Sequence, residues 1–211
     1  MNIKHATYLT SSPSFEKCPA AGRPEYAFIG RSNVGKSSLI NMICNNNKLA
    51  KTSSAPGKTQ MINHFEITSS DEIKKDAKWY LVDLPGYGFA KISQTSRRRW
   101  EQMIENYLRK RINLTNVFVL IDARLTPQKL DLNFIQQLNQ WHVPYTVLFT
   151  KSDKEKPSAV NKNVQLFLEA LRQTQQFLPQ YVITSAVKKT GREQILQLIS
   201  EMNEEYEMNG E

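Results

Sequence analysis

The chain has 211 residues, a formal net charge of +8, 40% hydrophobic residues and 23% charged ones. That length fits one domain with a real core, and that balance belongs to a globular protein rather than a disordered one. No run of about 18 apolar residues occurs, and MNIKHATYLTSS lacks the apolar centre of a secretory signal, so neither a membrane span nor export is expected. Two scattered cysteines, Cys18 and Cys44, favour a reducing cytoplasm over a disulfide scaffold. The basic balance suits a polyanionic partner, nucleic acid or anionic lipid.

In chain order, residues 1–25 are polar and proline-bearing and read as an extended N-terminal arm. A domain is expected over 26–207, with a frayed tail at 208–211. Tyr26–Ile29 is a short apolar strand, followed by a Gly/Ser/Asn turn and a helix from about Lys36. Residues 45–60, NNNKLAKTSSAPGKTQ, have no apolar period and read as a mobile loop. Met61–Thr68 and Lys78–Val82 are the next strands. Val117–Ile121 is continuously apolar, as a strand buried on both faces should be, and Tyr145–Phe149 and Tyr181–Ile183 follow. Between them the helical period recurs. Thr126-Pro127 reads as an N-cap with a first-turn proline, ahead of Leu130, Phe134, Leu138 and Trp141. Pro157 opens a helix with Val160, Val164, Phe167, Leu168 and Leu171 on one face. Thr190 to Glu193 fits a capping box, ahead of Ile195, Leu198, Ile199, Met202 and Tyr206. Strands alternating with helices predict an α/β fold, a mostly parallel central sheet flanked by helices.

Gly30-Arg31-Ser32-Asn33-Val34-Gly35-Lys36-Ser37 matches the phosphate-loop pattern GxxxxGK[ST] in a strand–loop–helix setting. The two glycines let backbone amides turn inward, and those amides with the helix N-terminus make an anion nest. Lys36 is expected at the β- and γ-phosphates and the Ser37 hydroxyl on Mg²⁺. Asp83 ends a strand and, with Leu84, Pro85 and Gly86, fits a sensor: its carboxylate reaches Mg²⁺ through water and the Gly86 amide meets the γ-phosphate. Thr150-Lys151-Ser152-Asp153 follows the strand YTVLF. A carboxylate can accept both guanine N1–H and the 2-amino group, and adenine offers no such pair, so Asp153 is expected to select guanine. Lys151 would lie along the base, with Thr184-Ser185-Ala186 near guanine O6.

In the order GRSNVGKS, a loop threonine, DLPG, TKSD and TSA, the chain resembles translation-factor-class GTPases. With APGKTQ at 55–60 and DLPGYGFA at 83–90, it resembles the EngB family of the Era-like group over about residues 20–205. The resemblance implies a P-loop NTPase fold of the Ras-like kind. It makes Thr59 the switch-I threonine that closes on Mg²⁺, with Gly57, Lys58, Gln60 and Met61 around it. It places Tyr87 where Ras-type switches carry a water-orienting glutamine. Tyr87 is read as a switch-II aromatic that packs or meets a partner. Some relatives use K⁺ held by a phosphate-loop asparagine, so Asn33 either supports such an ion or is a plain turn residue. Without the glutamine, hydrolysis by the solitary protein is expected well below ~1 s⁻¹. Lys36, Thr59 and Asn33 are the candidate catalytic residues.

SRRRWEQMIENYLRKRI reads as a helix with Trp100, Met103, Ile104, Tyr107 and Leu108 facing a core. Arg98 and Arg109 fall opposite, about 16 Å apart, flanked by Arg99 and Lys110, and Glu105 can pair with Arg109. Lys188, Lys189 and Arg192 add a second basic spot. A cytoplasmic monomer is expected, and the resemblance implies a role in assembly of the large (50S) ribosomal subunit that is needed for normal division and septation. The four residues of the arginine helix are the candidate contacts to rRNA phosphates. Rival expectations are a P-loop ATPase or kinase, a non-catalytic nucleotide-gated binding module, and a division adaptor acting at the septum.

Overall fold

The computed structural model describes residues 1–51, 61–70, 76–88 and 94–208. Among them, seven strands form one sheet: β1 (Asn2–Ser12), β2 (Glu25–Gly30), β3 (Ile62–Ser70), β4 (Ala77–Asp83), β5 (Leu114–Asp122), β6 (Tyr145–Thr150) and β7 (Tyr181–Ile183). The helices are α1 (Lys36–Ile43), α2 (Gln94–Lys110), α3 (Lys129–Gln140), α4 (Pro157–Arg172) and α5 (Arg192–Met208). Across the sheet the order is β1-β3-β4-β2-β5-β6-β7. The pairs from β4 through β7 are parallel, while β3 runs antiparallel to both β1 and β4.

Successive strand residues point to opposite faces, and β2 shows the consequence. Ala27 and Ile29 join a core with α2, α3 and α4, whereas Tyr26 and Phe28 join one with α1 and α5. Both faces being covered, Val117 to Ile121 of β5 are all buried. The chain leaves β2 toward one side of the sheet and β4 toward the other. Such a point of divergence opens a crevice beyond the C-terminal strand ends, and Gly30, Asp83, Asp122, Thr150 and Ile183 all end strands there. Among the described residues no helix is long and apolar enough to cross a membrane.

At the opposite end of β2, Glu25 is fully buried. It accepts from Arg111 Nε (2.8 Å) and Nη2 (2.5 Å) and from Tyr107 Oη (2.8 Å), and lies 3.2 Å from His64 Nε2. Burial pushes its carboxyl up, but Arg111 and then His64 overcome this and hold it at about 2. This cluster joins β2, β3 and the end of α2.

Several sequence expectations are revised. Part of the expected arm is a sheet strand: β1 pairs along β3 and its Tyr8 ring meets Phe65 edge-on at 6.0 Å. As an edge strand exposed over much of its length, it carries no apolar run to betray it. The start of the expected mobile loop is pinned, because the Asn41 side chain bonds Asn47 O, Ala50 O and Ala50 N. α3 starts at Lys129 rather than after Thr126, since Asp131 N and Leu132 N both close on Gln128 O. Leu130 is 43% exposed rather than core-facing; it leans toward Gly88 instead, where an added Cβ would stand 3.3 Å from its Cδ1. α5 starts at Arg192 and its first helical bond goes to Gly191 O, so Gly191 rather than Thr190 stands at the position the capping box requires; the Thr190 carbonyl accepts Ser185 N at 3.2 Å. Arg192 is no free basic spot. Its Nε donates to Met42 O and Ile43 O, capping the negative end of α1.

Candidate functional site

The loop Arg31 to Gly35 joins β2 to α1. Gly35 stands before the first helical residue with φ +101°, a backbone that side-chain-bearing residues rarely adopt. Asn33 is also left-handed, at φ 64°. The Ser32 hydroxyl is buried and has no hydrogen-bond partner among the described residues, leaving a donor free for an oxyanion. Lys36 opens α1 and contacts the Asp83 carboxylate at the end of β4. Burial pushes the Lys36 ammonium down to about 7, and the adjacent carboxylate favours its charged form, as a phosphate would.

After Asp83 the chain runs back along β2. Leu84 N donates to Phe28 O at 3.0 Å and Tyr87 N to Gly30 O at 3.1 Å. Pro85 is buried between them. Gly86 lies so close to the phosphate loop that a Cβ would stand 2.6 Å from Gly30 O, so no larger residue fits. The side chain of Tyr87 packs into α3 and is 5% exposed. Its ring stacks on Phe134 with centroids 4.6 Å apart, and its hydroxyl donates to Asp131 Oδ1 at 2.8 Å. Burial pushes the Asp131 carboxyl up to about 6, against the hydrogen bond from Tyr87 and the charge of Arg31.

The second half of the crevice comes from β6 and β7. Thr150 is buried and its hydroxyl donates to Val34 O at 2.7 Å, with Ile121 O a longer alternative acceptor at 3.2 Å, tying β6 to the phosphate loop. Lys151, at φ 61°, sends Nζ to Asn33 O (2.6 Å) and Asp122 Oδ2 (2.9 Å). Ser152 N donates to Thr184 O at 3.1 Å. The Ser185 hydroxyl donates to Asp153 Oδ1 at 2.7 Å, holding that carboxyl below the usual range, and accepts Lys188 N at 3.0 Å. Ala186 follows, partly buried. TKSD and TSA, far apart in sequence, thus form one edge of the crevice with GRSNVGKS and DLPG at the other. Gly57, Lys58, Thr59 and Gln60 lie outside the described residues, and Met61 is exposed just before β3.

Among the described residues no group of three or more His, Cys, Asp or Glu could hold a metal by itself. The available donors are hard oxygens, the Ser37 hydroxyl in the first turn of α1 and the Asp83 carboxylate. That sparse set fits Mg²⁺, which keeps waters and shares its shell with substrate phosphates. Sequence reasoning missed Asp122 and Asp131. Asp122 carried a usable signal, as a carboxylate closing the apolar run VFVLI at the C-terminal edge of a parallel sheet. Asp131 carried none, being one polar residue in an amphipathic helix.

A family model described as "50S ribosome-binding GTPase" matches residues 25–151. The chain is 47% identical over 205 residues to the "Probable GTP-binding protein EngB" of Bacteroides fragilis, covering 97% of this chain and 98% of that protein. It is 48% identical over 203 residues to the protein of the same name from Phocaeicola vulgatus, covering 96% and 98%. Among solved structures, a "probable GTP-binding protein engB" superposes with a TM-score of 0.65 at 22% identity, over 86% of this chain and 99% of that one. A variant of Aquifex aeolicus Era bound to GDP.AlF4⁻ superposes with a TM-score of 0.69 at 22% identity, over 85% and 56%. With its phosphate loop and near full-length identity to these relatives, the chain belongs to the EngB family of GTP-binding proteins, built on a P-loop GTPase domain.

Proposed function

We propose that this protein is a slow, Mg²⁺-dependent GTP switch that acts on the large ribosomal subunit. The observation that carries the nucleotide part is the convergence of Lys36, Lys151 and Asp153 along one crevice, with Lys151 joined to the phosphate loop through Asn33 O. Lys36 and the loop amides would stabilise phosphate charge. Asp153, oriented by Ser185, would accept from guanine. Ser37 and Thr59 would hold Mg²⁺, with Asp83 outside its first shell; the ion supplies charge neutralisation at the β- and γ-phosphates. Asn33 is assigned to a K⁺ ion beside them. Competition of labelled GTP by GTP but not ATP tests the base assignment, and displacement by ATP would overturn it. Faster hydrolysis in KCl than in NaCl is expected, and equal rates would remove the K⁺ assignment.

The ribosomal part draws support from the description of the matching family model and from α2. Its Arg98, Arg99, Arg109 and Lys110 are exposed, and Arg109 pairs with Glu105 at 2.7 Å on the helix surface. These side chains would meet rRNA phosphates rather than read bases. The protein would work as a cytoplasmic monomer, and its loss would disturb division and septation. A second reading is a non-catalytic module in which nucleotide only orders a binding face. The engagement of Tyr87 with Asp131 favours it, because this side chain is committed to α3. GTP consumption on ribosomal particles would exclude that reading.

A further inference from the structure

Asp122 closes β5 at the rim of the crevice, and its carboxylate is shared between two cations. Oδ1 accepts Arg124 Nε at 2.9 Å and Arg124 N at 3.2 Å. Oδ2 accepts Arg124 Nη2 at 2.8 Å and Lys151 Nζ at 2.9 Å. The guanidinium fork therefore fixes the carboxylate plane, as bidentate pairs do, and Oδ2 remains for Lys151. Partial burial pushes the Asp122 carboxyl up, yet Arg124 and Lys151 outweigh it and hold it below the ordinary range.

Lys151 is unusual in its backbone as well as its side chain. It sits in the left-handed region at φ 61°, a conformation that costs energy for a residue with a Cβ and persists where its surroundings over-determine it. Its stem crosses the phosphate loop, since a Cβ on Gly35 would stand 3.6 Å from Lys151 Cε. Ordering a free lysine side chain removes rotamer entropy. With Asp122 on one side and Asn33 O on the other, that cost is met before a nucleotide arrives, and preorganisation of this kind raises affinity.

We propose that Asp122 is a positioning residue for the nucleotide: held flat by Arg124, it fixes Lys151 across the phosphate loop and so links guanine recognition to the phosphate site. The alternative is that Asp122 only closes the turn to Arg124 N. The two differ in whether the effect of Asp122 passes through Lys151. The proposal rests on the reading of Lys151 as a guanine-site residue.

The test is a double-mutant cycle in the full-length protein, read as release of a fluorescent GDP analogue chased with unlabelled GDP, with thermal melting to confirm folding. Lys151→Ala should speed release. Asp122→Ala should speed it about tenfold in the wild-type background and less than twofold in the Lys151→Ala background, the signature of a shared interaction. An equal effect in both backgrounds, or none in the wild type, overturns the proposal. If Asp122→Ala does not fold, Asp122→Asn keeps the side-chain shape and the turn acceptor. It should speed release about threefold in the wild-type background only, and wild-type release again overturns the proposal. Lys151→Ala with unchanged release would overturn the guanine-site reading and this proposal together; accelerated release there with an inert Asp122 overturns this proposal alone.

Discussion

Two side chains, Asp153 at the crevice edge and Tyr87 packed on α3, yield separable outcomes. Asp153 presents two acceptors, held by Ser185. An asparagine there would present one acceptor and one donor, which matches xanthine and mismatches guanine. Asp153→Asn should therefore lower GTP affinity by roughly 10²-fold or more and raise affinity for xanthosine triphosphate, measured by competitive titration. Tyr87 is a structural residue of α3 contact rather than a water-orienting one. Tyr87→Phe leaves the buried Asp131 carboxylate without its donor. That should cost about 1–3 kcal/mol at pH 7, seen as a fall in melting temperature of roughly 2–4 °C per kcal/mol. The placement of Lys36 and Asp153 on one crevice was legible in the sequence because motif and element order coincide there. Asp131 was not, because its meaning comes from Tyr87, whose ring crosses between segments 44 residues apart.

At the scale of elements, the apolar pattern located the parallel strands most plainly in β2, β5 and β6, where burial on both faces leaves a nearly continuous apolar run. It failed where another interaction displaced the local rule. β1 is polar because it is an edge, and α3 begins late because Gln128 O, rather than Thr126, closes its first turn. Arg192 looked like surface charge until α1 supplied carbonyls for it. The arginines of α2 keep their exposure. If that helix meets rRNA, Arg98→Glu with Arg109→Glu should weaken association with large-subunit particles. Each lost phosphate contact should also reduce the slope of log K against log salt by about 0.7 to 0.9. An unchanged slope in a sedimentation assay would move the interface elsewhere.

At the scale of the molecule, two buried carboxylates shape the acid response in opposite directions. Glu25 is held at about 2, below its unfolded value near 4.3. It stabilises the fold above about pH 4.3, by roughly 3 kcal/mol, and that contribution is lost as pH falls toward 2. Asp131 is raised to about 6 from an unfolded value near 3.9. Its contribution is full below about pH 4 and is lost as pH rises through 6. Asp131→Asn should thus flatten the stability profile between about pH 4 and 6. Glu25→Gln should strip the acid-sensitive limb and cost about 3 kcal/mol or more at pH 7, since Arg111 is left buried without a counter-charge. Denaturant midpoints from about pH 2 to pH 7 check both.

If the protein is a GTP switch, the commitment of Tyr87 to α3 requires that its chemistry be completed from outside the chain. Single-turnover GTP hydrolysis, with and without large ribosomal subunits in K⁺ buffer, tests it most directly. The expected rate is well below ~1 s⁻¹ for the protein alone, with clear acceleration on the particles. A fast solitary rate, or no response to the particles, would contradict it.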